Sequence, residues 1–347
     1  MSTQKRFFCI TIILTMFIVL LAGCGQTSSP DTDVPSDTGN PIELVCATTG
    51  MSGASELYYL EEFGRLVEEM SEGSMTATVY PDGQLGGDVD TTESLLNGEI
   101  AAVTLQPSAV VTFVPEFAAF DYPNLFSGYT KDQIHRALSG EFFGLIQDAA
   151  EAKGLKVLSF AQGASFREMS SNKPINSVAD FKGIKIRTLE NPNHMSYWRA
   201  LGASPTPLAW SEVYLSLQQG VVDAQENGYE VVLNGTLYEV QNYVINTDHI
   251  LMVNVLMFSP RIYDSLTPEQ QEIIDEAART AAATTNDKME ASNIELRDAL
   301  LDKGLTIIDL KSDVIDEMRT KTTGVYDTIT AKIGEEYLDA IQTGLKD

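Results

Sequence analysis

The chain has 347 residues and a formal net charge of −26 at pH 7, from 23 Lys and Arg against 49 Asp and Glu. This acidity disfavours nucleic-acid binding, because phosphate backbones are repelled, and any anionic ligand must be held by a few locally placed cations. About 300 residues follow the N-terminal segment, more than one hydrophobic core usually organises, which predicts two domains.

The first 23 residues have the pattern of a secretory signal peptide. Lys5 and Arg6 give a positive start, an apolar run follows at 7–21, and the small residues of LAGC precede Cys24. The run is shorter than the roughly 20 residues of a spanning helix, which disfavours the alternative of a retained membrane helix. The LAGC string resembles a bacterial lipobox, which implies cleavage before Cys24 and lipidation of its thiol.

Residues 24–40 are expected to be the lipidated cysteine and a flexible tether. After Cys24 the segment is nearly all Gly, Ser, Thr, Pro and Asp, which cannot bury enough apolar surface to order itself. Because Cys9 lies in the signal peptide, only Cys46 remains in the fold that begins near Pro41. A single cysteine excludes an intramolecular disulfide or a cysteine metal cluster, and its apolar neighbours predict a buried, inert thiol.

From Pro41 the pattern alternates between strands and helices. Hydrophobic periodicity predicts strands at 42–47, 75–80, 101–105 and 155–160, and helices at 56–71, 88–97 and 131–153. Alternation of this kind predicts an α/β protein with mainly parallel sheets.

A second unit is predicted to begin near Ser165. Its predicted elements are a strand at 184–187, helices at 194–201 and 211–219, and an apolar strand at 250–258 that passes back between the units. Thr267, Pro268 and Gln270 form a helix-start signal, and helical composition continues to Leu301. A helix of about 50 Å exceeds one small domain and predicts a brace across both. The predicted domains are 41–164 with about 253–292, and 165–252 with about 293–347.

Residue patterns typical of catalysis are scarce. His135, His194 and His249 are far apart, none has the spacing of a metal site such as HExxH, and no GxSxG nucleophile motif occurs. The glycine-rich stretch at 81–87 lacks the GxGxxG and P-loop patterns, so a turn that opens a helix is expected there. The sequence therefore predicts no enzyme, no metal and no cofactor, with a tethered hydrolase as a less favoured alternative.

Two arginines near strand ends are candidates for binding an anion. Arg167 lies beyond the strand predicted to end near Phe160, and Arg187 ends the strand predicted at 184–187. Ligands of α/β sheets bind at the carboxyl ends of strands, where a guanidinium can hold a carboxylate with two parallel bonds. A surface position or a structural salt bridge is the alternative for each arginine.

Several ordered motifs of the chain carry a resemblance to one known family. The longest is DFKGIKIRTLENPNHMSYWRALGASPTPLAWSEVYLSLQQGVVDAQEN at 180–227. This stretch resembles the diagnostic region of the DctP family, the solute-binding subunits of TRAP (tripartite ATP-independent periplasmic) transporters. YPDGQLGG at 80–87 resembles its YPxGQLG turn, and PEF at 115–117 and YPNLF at 122–126 resemble its PEF and PFLF segments. The resemblance implies a periplasmic-binding-protein-like, two-domain α/β clamshell with hinge strands and a long bracing helix.

The resemblance also implies roles for individual residues. Arg187 matches the arginine that binds the ligand carboxylate bidentately, Arg167 matches a second arginine on that carboxylate, and Asn227 matches an asparagine that also holds it. Trp210 matches an aromatic residue lining the pocket, and a core aromatic is the alternative. Ala224 departs from the glycine usual in the family, a mild change that bears on the loop carrying Asn227.

Contacts from the first domain are expected near residues 48–56, including Glu56, and at Gln106. Asn191 and His194 follow the KIR motif directly. Either residue can touch the ligand or the closing domains, but a loop asparagine and a histidine at a helix N-terminus are the preferred interpretation.

The implied function is capture of an organic acid anion, such as a C4-dicarboxylate or a sugar acid, for ion-driven uptake. The implied partners are the small and large TRAP membrane subunits, and the implied location is periplasmic or on the outer face of the cytoplasmic membrane, with a lipid anchor. A solute-binding protein of an ABC importer shares this general architecture and is the main alternative.

Overall fold

The computed structural model describes residues 41–346, which belong to one compact unit. The predicted signal peptide, the lipidation site Cys24 and the tether lie outside the described residues and stay predictions. Within residues 41–346, no helix is both long and apolar enough to cross a membrane.

The strands of the described residues form one mixed sheet. They are β1 (Ile42–Ala47), β2 (Met75–Tyr80), β3 (Ala102–Leu105), β4 (Lys156–Ser171), β5 (Lys185–Thr188), β6 (Ser204–Pro207), β7 (Ala224–Asn227), β8 (Tyr243–Phe258) and β9 (Thr306–Asp309). Their order in space is β2-β1-β3-β8-β4-β7-β5-β6, and β9 pairs with β8. The two 16-residue strands β4 and β8 therefore separate one group, β1–β3, from another, β5–β7.

Strand direction is parallel within each group and antiparallel at the centre. β1 is parallel to β2 and β3, and β5 is parallel to β6 and β7. β8 is antiparallel to β3 and β4, and β4 is antiparallel to β7. The predicted α/β class is confirmed, and each group presents the carboxyl ends of three parallel strands along one edge.

Helices connect the strands. They are α1 (Ser55–Met70), α2 (Asp88–Asn97), α3 (Lys131–Ala137), α4 (Glu141–Glu151), α5 (Pro192–Ala200), α6 (Trp210–Gln218), α7 (Tyr229–Asn234), α8 (Pro260–Tyr263), α9 (Pro268–Asp302), α10 (Ser312–Lys321), α11 (Thr323–Ile333) and α12 (Glu336–Lys346). The apolar stripe of α1 buries Leu60, Phe63 and Val67 completely, and Phe63 meets Phe258 of β8 edge to face at 6.5 Å. Burying each such side chain stabilises the fold by about 2 kcal/mol.

The predicted long helix is α9, with 35 residues. Thr267 caps it as expected: its Oγ1 accepts from the Gln270 amide at 3.3 Å, and its own amide donates to Gln270 Oε1 at 2.9 Å. α9 packs on α1 and β4, and also on α7, which follows β7. It therefore contacts elements of both strand groups.

Two strands are longer than the sequence predicts. β4 continues unbroken to Ser171, so the prediction that Arg167 lies beyond a strand ending near Phe160 is wrong: Arg167 lies within β4. β8 begins at Tyr243 instead of residue 250. Polar residues interrupt the apolar pattern in both strands, and the β4–β8 pairing shifts register there, including between Arg167 and Met169.

The prediction of a single helix at 131–153 is also wrong. Two helices, α3 and α4, occupy this segment and are separated at Gly140. Gly140 adopts a φ of 63°, a left-handed conformation that is open to glycine and that breaks helical hydrogen bonding. Cys46 is buried as predicted, and burial raises the pKa of its thiol to about 12, which keeps it protonated.

Candidate functional site

One cavity of about 680 Å³ lies where the carboxyl ends of six strands face each other. It is lined by residues 49–51 after β1, residues 82–90 after β2 and Gln106 after β3. The other strand group contributes residues 187–190 of and after β5, residues 208–211 after β6 and Asn227 at the end of β7. Its volume suits a small organic molecule, and strand ends of this kind are where α/β sheets bind ligands.

Arg187 supplies the cavity's one lining guanidinium among the described residues, and its side chain is only 1% exposed. Its Nε and Nη2 both donate to the Leu208 carbonyl oxygen, at 3.0 and 2.8 Å, which fixes the plane of the group. Nη1 is buried and has no hydrogen-bond partner within residues 41–346. Leaving a buried donor without a partner costs free energy, so the free Nη1 favours binding of an anionic ligand at Arg187.

The Arg187 guanidinium stays charged in the cavity. Burial lowers its pKa to about 10, with the positive charge of Arg167 acting in the same direction and the carboxylates of Glu226 and Asp88 acting against it. A pKa of about 10 leaves the group cationic at neutral pH, as carboxylate binding requires.

Trp210 begins α6 and lies half-buried at the cavity wall. Its ring centre is 5.8 Å from the Arg187 guanidinium carbon, within the range of a cation–π contact. Trp210 also packs against an apolar cluster that includes Val213 and Leu217 of the same helix. Trp210 therefore both lines the cavity and packs on the core, so the two interpretations of this residue are compatible.

Arg167 lies behind the cavity wall and holds residues that line it. Its Nη1 donates to Gln106 Oε1 and, at 3.2 Å, to Asn227 Oδ1, while Nη2 donates to the Glu226 carbonyl oxygen at 2.6 Å. Nε pairs with Glu226 Oε2 at 2.5 Å. With four protein acceptors, Arg167 orients Gln106 and Asn227 in this structure, and direct contact with a ligand carboxylate stays a prediction.

A hydrogen-bonded chain joins the two walls of the cavity. Glu56, in the first turn of α1, accepts from Gln106 Nε2 at 2.9 Å, and Gln106 Oε1 accepts from Arg167. Arg167 in turn donates to Asn227. The six residues predicted for the site come from six different elements and loops, and all lie at this cavity or directly behind its wall. Their roles in binding stay predictions.

A buried charge network behind Arg167 was not found from the sequence. Glu226 accepts from Arg167 and from both His194, at 3.3 Å, and His249, at 3.1 Å. His194 also pairs with Asp121 at 3.2 Å. Successive side chains of a strand point to opposite faces, so on β7 Glu226 lies in this network and Asn227 lies at the cavity. This alternation is the one sequence signal that could have indicated the network.

Electrostatics inside this network set the charge states. Burial would lower the pKa of His194, but Glu226 and Asp121 raise it to about 9. Burial would raise the pKa of Glu226, but Arg167 and His194 hold it well below the ordinary range. Burial lowers the pKa of His249, so His249 is neutral, donates from Nε2 to Glu226 and accepts at Nδ1 from Thr247. In this network the cations Arg167 and His194 are therefore paired with the anion Glu226, beside a neutral His249.

Asn191 and His194 have structural positions, in line with the preferred interpretation. Asn191 caps α5 by accepting from the Asn193 amide at 2.7 Å, and its Nδ2 donates to Asp121 at 2.7 Å. Neither residue lines the cavity. Ala224, the departure from the family pattern, is fully buried in β7 and pairs in register with Ser171 and Ile186. The strand that carries Asn227 therefore keeps its pairing on both sides.

The glycine-rich turn at 81–87 leads into α2, as predicted, and also lines the cavity. Gly83 and Gly86 have φ values of 66° and 114°, and a side chain on Gly86 would meet Asp90. Asp88, at the start of α2, accepts from Thr49 Oγ1 at 2.8 Å. Across residues 41–346, no group of three or more His, Cys, Asp or Glu side chains is arranged to hold a metal ion.

Comparison with known proteins places this geometry in context. The model of the DctP family, described as bacterial extracellular solute-binding protein, family 7, matches residues 47–333. The chain is 28% identical over 286 residues to the C4-dicarboxylate-binding periplasmic protein DctP of Rhodobacter capsulatus, covering 81% of this chain and 84% of that one. It is 28% identical over 242 residues to the sialic acid-binding periplasmic protein SiaP of Vibrio cholerae, covering 70% and 74%.

A solved structure is similar over nearly the same length. The TRAP periplasmic solute-binding protein from Polaromonas sp. JS666, bound to D-erythronate, is 27% identical and has a TM-score of 0.82. The match covers 87% of this chain and 98% of that one. The similarity therefore extends over both strand groups and the cavity between them.

Proposed function

The chain belongs to the bacterial extracellular solute-binding proteins of family 7, and we propose that its cavity captures an organic acid anion through Arg187. Its resemblance to the TRAP solute-binding subunits is confirmed, and so is the clamshell fold class. The chain is a carboxylate-binding, extracytoplasmic subunit of that transporter type.

The buried, unpartnered Nη1 of Arg187 carries the proposal for the site. Because Leu208 already occupies Nε and one N–H of Nη2, the free N–H groups lie at the Nη1–Nη2 end of the guanidinium. Two carboxylate oxygens can accept there side by side, which is the bidentate geometry expected for this residue. Asn227 and Trp210, which line the same cavity, complete this end of the site.

The relatives support a carboxylate as the shared feature of the ligand. Their names and bound ligands are C4-dicarboxylates, sialic acid and D-erythronate, all of which carry at least one carboxylate. The remaining parts of these molecules differ widely. A carboxylate is therefore the part of the ligand that we assign to Arg187.

We assign the two domains to residues 41–164 with about 253–292, and to residues 165–252 with about 293–347. Closure of these domains over a ligand excludes water from the carboxylate–guanidinium pair, while Gln106 and Asn227 stay joined through Arg167. Excluding water strengthens the pair's attraction but also costs desolvation, so the neighbouring hydrogen bonds have to remain intact. In this account Arg167 becomes a ligand contact only as the domains close.

Several further features complete the proposal. The protein is exported, loses residues 1–23, and is anchored by lipid on Cys24, with residues 24–40 as the tether. The liganded form docks on the small and large membrane subunits of the transporter, and bound ligand is released unchanged. Family membership disfavours the alternative of an ABC-importer subunit. The alternative of a hydrolase predicts that the bound ligand is converted, and mass spectrometry of the recovered ligand detects such conversion.

A thermal-shift screen against a library of organic acids tests the proposed function. A ligand that binds only the folded state raises the melting temperature, and the shift grows with the logarithm of its concentration relative to Kd. We expect shifts from carboxylates that vanish in Arg187→Ala and persist in Arg199→Ala, an exposed arginine on α5. Shifts from neutral sugars or peptides alone would contradict the proposal.

Membrane fractionation tests the anchor separately. The wild-type chain is expected in the membrane fraction, and Cys24→Ser is expected to prevent lipidation and release a soluble or unprocessed form. Cys46→Ser, at the buried thiol, is the matched control and should remain with the membrane. Equal membrane association of a Cys24→Ser protein lacking residues 1–23 would rule out the lipid anchor.

A further inference from the structure

The cavity carries far more negative than positive charge. Five carboxylate residues line it, against one guanidinium: Glu56, Asp82, Asp88, Asp90 and Glu190. Four of the five come from the strand group opposite Arg187, at the start of α1 and around the turn into α2. The cavity is therefore polarised, with a cationic end at Arg187 and an acidic wall facing it.

Glu56 is the most buried member of this wall, at 7% exposure. Its Oε1 accepts from Gln106, while its Oε2 accepts no hydrogen bond from any residue of 41–346. Asp88 is half-buried, and its Oδ1 accepts from Thr49. Both carboxyl groups therefore keep oxygen atoms available to a ligand in the cavity.

Arg187 and the acidic wall line the same cavity and affect each other's charge states. Burial raises the pKa of Asp88, and the charges of Arg187 and Arg167 oppose part of that rise. The charge of Asp88 in turn raises the pKa of Arg187. Burial and the charge of Asp88 raise the pKa of Glu56 to about 7. A second anion brought to this wall would raise both pKa values further, so above pH 7 its binding carries the added cost of proton uptake or of like-charge repulsion.

We propose that Glu56 and Asp88 select the distal end of the ligand, admitting a monocarboxylate whose far end donates hydrogen bonds and rejecting a dicarboxylate. This inference rests on the proposed function, since Arg187 must already hold the first carboxylate. A hydroxyl or an ammonium group at the far end donates to the free carboxylate oxygens, whereas a second carboxylate meets like charge without a donor. The buried, unpartnered Nη1 of Arg187 in the same cavity marks the wall as part of a ligand site.

Three matched pairs of acids, titrated by calorimetry into the purified protein at pH 8, test the proposal. D-Galactonate and galactarate differ only in a terminal hydroxymethyl or carboxylate, and so do D-erythronate and meso-tartrate. 4-Aminobutyrate and succinate have four-carbon chains ending in an ammonium or a carboxylate. We expect the donor-ended member of at least one pair to bind at least about tenfold more tightly, since a charge-assisted hydrogen bond is replaced by repulsion.

Two variants identify the residues responsible. In Glu56→Gln/Asp88→Asn, the amide oxygens still accept from Gln106 and Thr49, but the negative charge is gone. We expect the preference for the donor-ended acid to fall about tenfold in this variant. Glu93→Gln removes an exposed charge from the same helix α2, away from the cavity, and should leave the preference unchanged.

Each outcome decides the proposal. A dicarboxylate that binds as tightly as its partner in any pair, or a preference that survives the double variant, would overturn it. Absence of binding by all six acids would also overturn it, while a shift by any other carboxylate in the thermal screen would leave the proposed function standing. The pair that shows the preference distinguishes a hydroxyl from an ammonium at the far end.

Discussion

The Arg187 guanidinium is held between the Leu208 carbonyl oxygen, 2.8 Å from Nη2, and the Trp210 ring, whose centre lies 5.8 Å from the guanidinium carbon. Both partners come from the segment that joins β6 to α6, so a short piece of chain fixes the arginine's position. This arrangement leaves the Nη1–Nη2 end free for a ligand, and it depends on the planar shape of the guanidinium.

Arg187→Lys should therefore bind carboxylates poorly although it keeps the positive charge. One ammonium cannot bond Leu208 and also present two parallel donors, and it stacks less well on Trp210. We expect a loss of about 100-fold in affinity by calorimetry, which corresponds to about 3 kcal/mol. Lys185, exposed on the same strand, provides the matched Lys185→Arg control; near-wild-type affinity of Arg187→Lys would contradict the role of the planar fork.

Ligand binding should change the fluorescence of Trp210. The chain has two tryptophans, and the other, Trp198, is fully buried between Phe181 and Tyr197 in the core. A ligand at Arg187 alters the surroundings of Trp210 alone, so Trp210→Phe should abolish the ligand-induced change. The change should persist in Trp198→Phe if that variant folds, and persistence in Trp210→Phe would place the ligand elsewhere.

The buried ion pair between Arg167 and Glu226 should be important for stability. Glu226→Gln leaves Arg167 and His194 without their shared carboxylate, and such unpaired buried charges typically cost about 3–5 kcal/mol. Urea unfolding measures the loss. In the double variant Arg167→Met/Glu226→Gln, the two losses should not add, because each single change breaks the same pair.

The matched control for this pair is Arg65→Met, which removes the exposed ion pairs of Arg65 with Glu62 and Glu69 on α1. Its effect on unfolding should be small, because exposed pairs contribute little. Additive losses in the Arg167 and Glu226 cycle would show that the two side chains act independently.

His194 should give the fold a pH-dependent stabilisation. The pKa of His194 is raised to about 9 from an ordinary value of 6.5. Its contribution to the free energy of unfolding is therefore complete below pH 6.5 and is lost as pH rises through 9. His194→Gln should therefore lower the free energy of unfolding near pH 6 by about 3 kcal/mol more than near pH 10. His135→Gln, at an exposed histidine of α3, should show no such difference.

Glu226 titrates in the opposite sense within the same network. The pKa of Glu226 lies below the ordinary value, so its contribution to the free energy of unfolding is present above pH 4.5 and is lost as pH falls. The pair is therefore most stabilising between about pH 4.5 and 6.5. A pH profile of His194→Gln parallel to that of the wild type from pH 6 to 10 would contradict the assigned pairing.

Much of the fold can be predicted from local patterns. The strands 42–47 and 75–80 and the helix 88–97 have the predicted bounds, because their apolar residues repeat with one period and turn residues mark their ends. The start of α9 follows from its capping residues. Arg187 could be predicted at the cavity because it lies near the carboxyl end of β5, a short strand of a parallel group.

The centre of the molecule could not be predicted in this way. β4 and β8 carry polar residues through a buried region, so the hydrophobic pattern stops while the strands continue. Their polar side chains are satisfied by partners distant in sequence, as in the pairs of Arg167 and His249 with Glu226. Spacing along the chain carries no signal for such contacts, and the acidic wall opposite Arg187 likewise forms only when the strand ends meet.

Calorimetric titration of Arg187→Ala with the carboxylate that gives the largest thermal shift is the most direct test of carboxylate capture at this cavity. We expect the wild type to bind this acid, and we expect Arg187→Ala, with an unchanged unfolding midpoint in the absence of ligand, to show no detectable heat of binding. Wild-type affinity in a folded Arg187→Ala variant would contradict this expectation, because the cavity would then bind the acid without its one lining guanidinium.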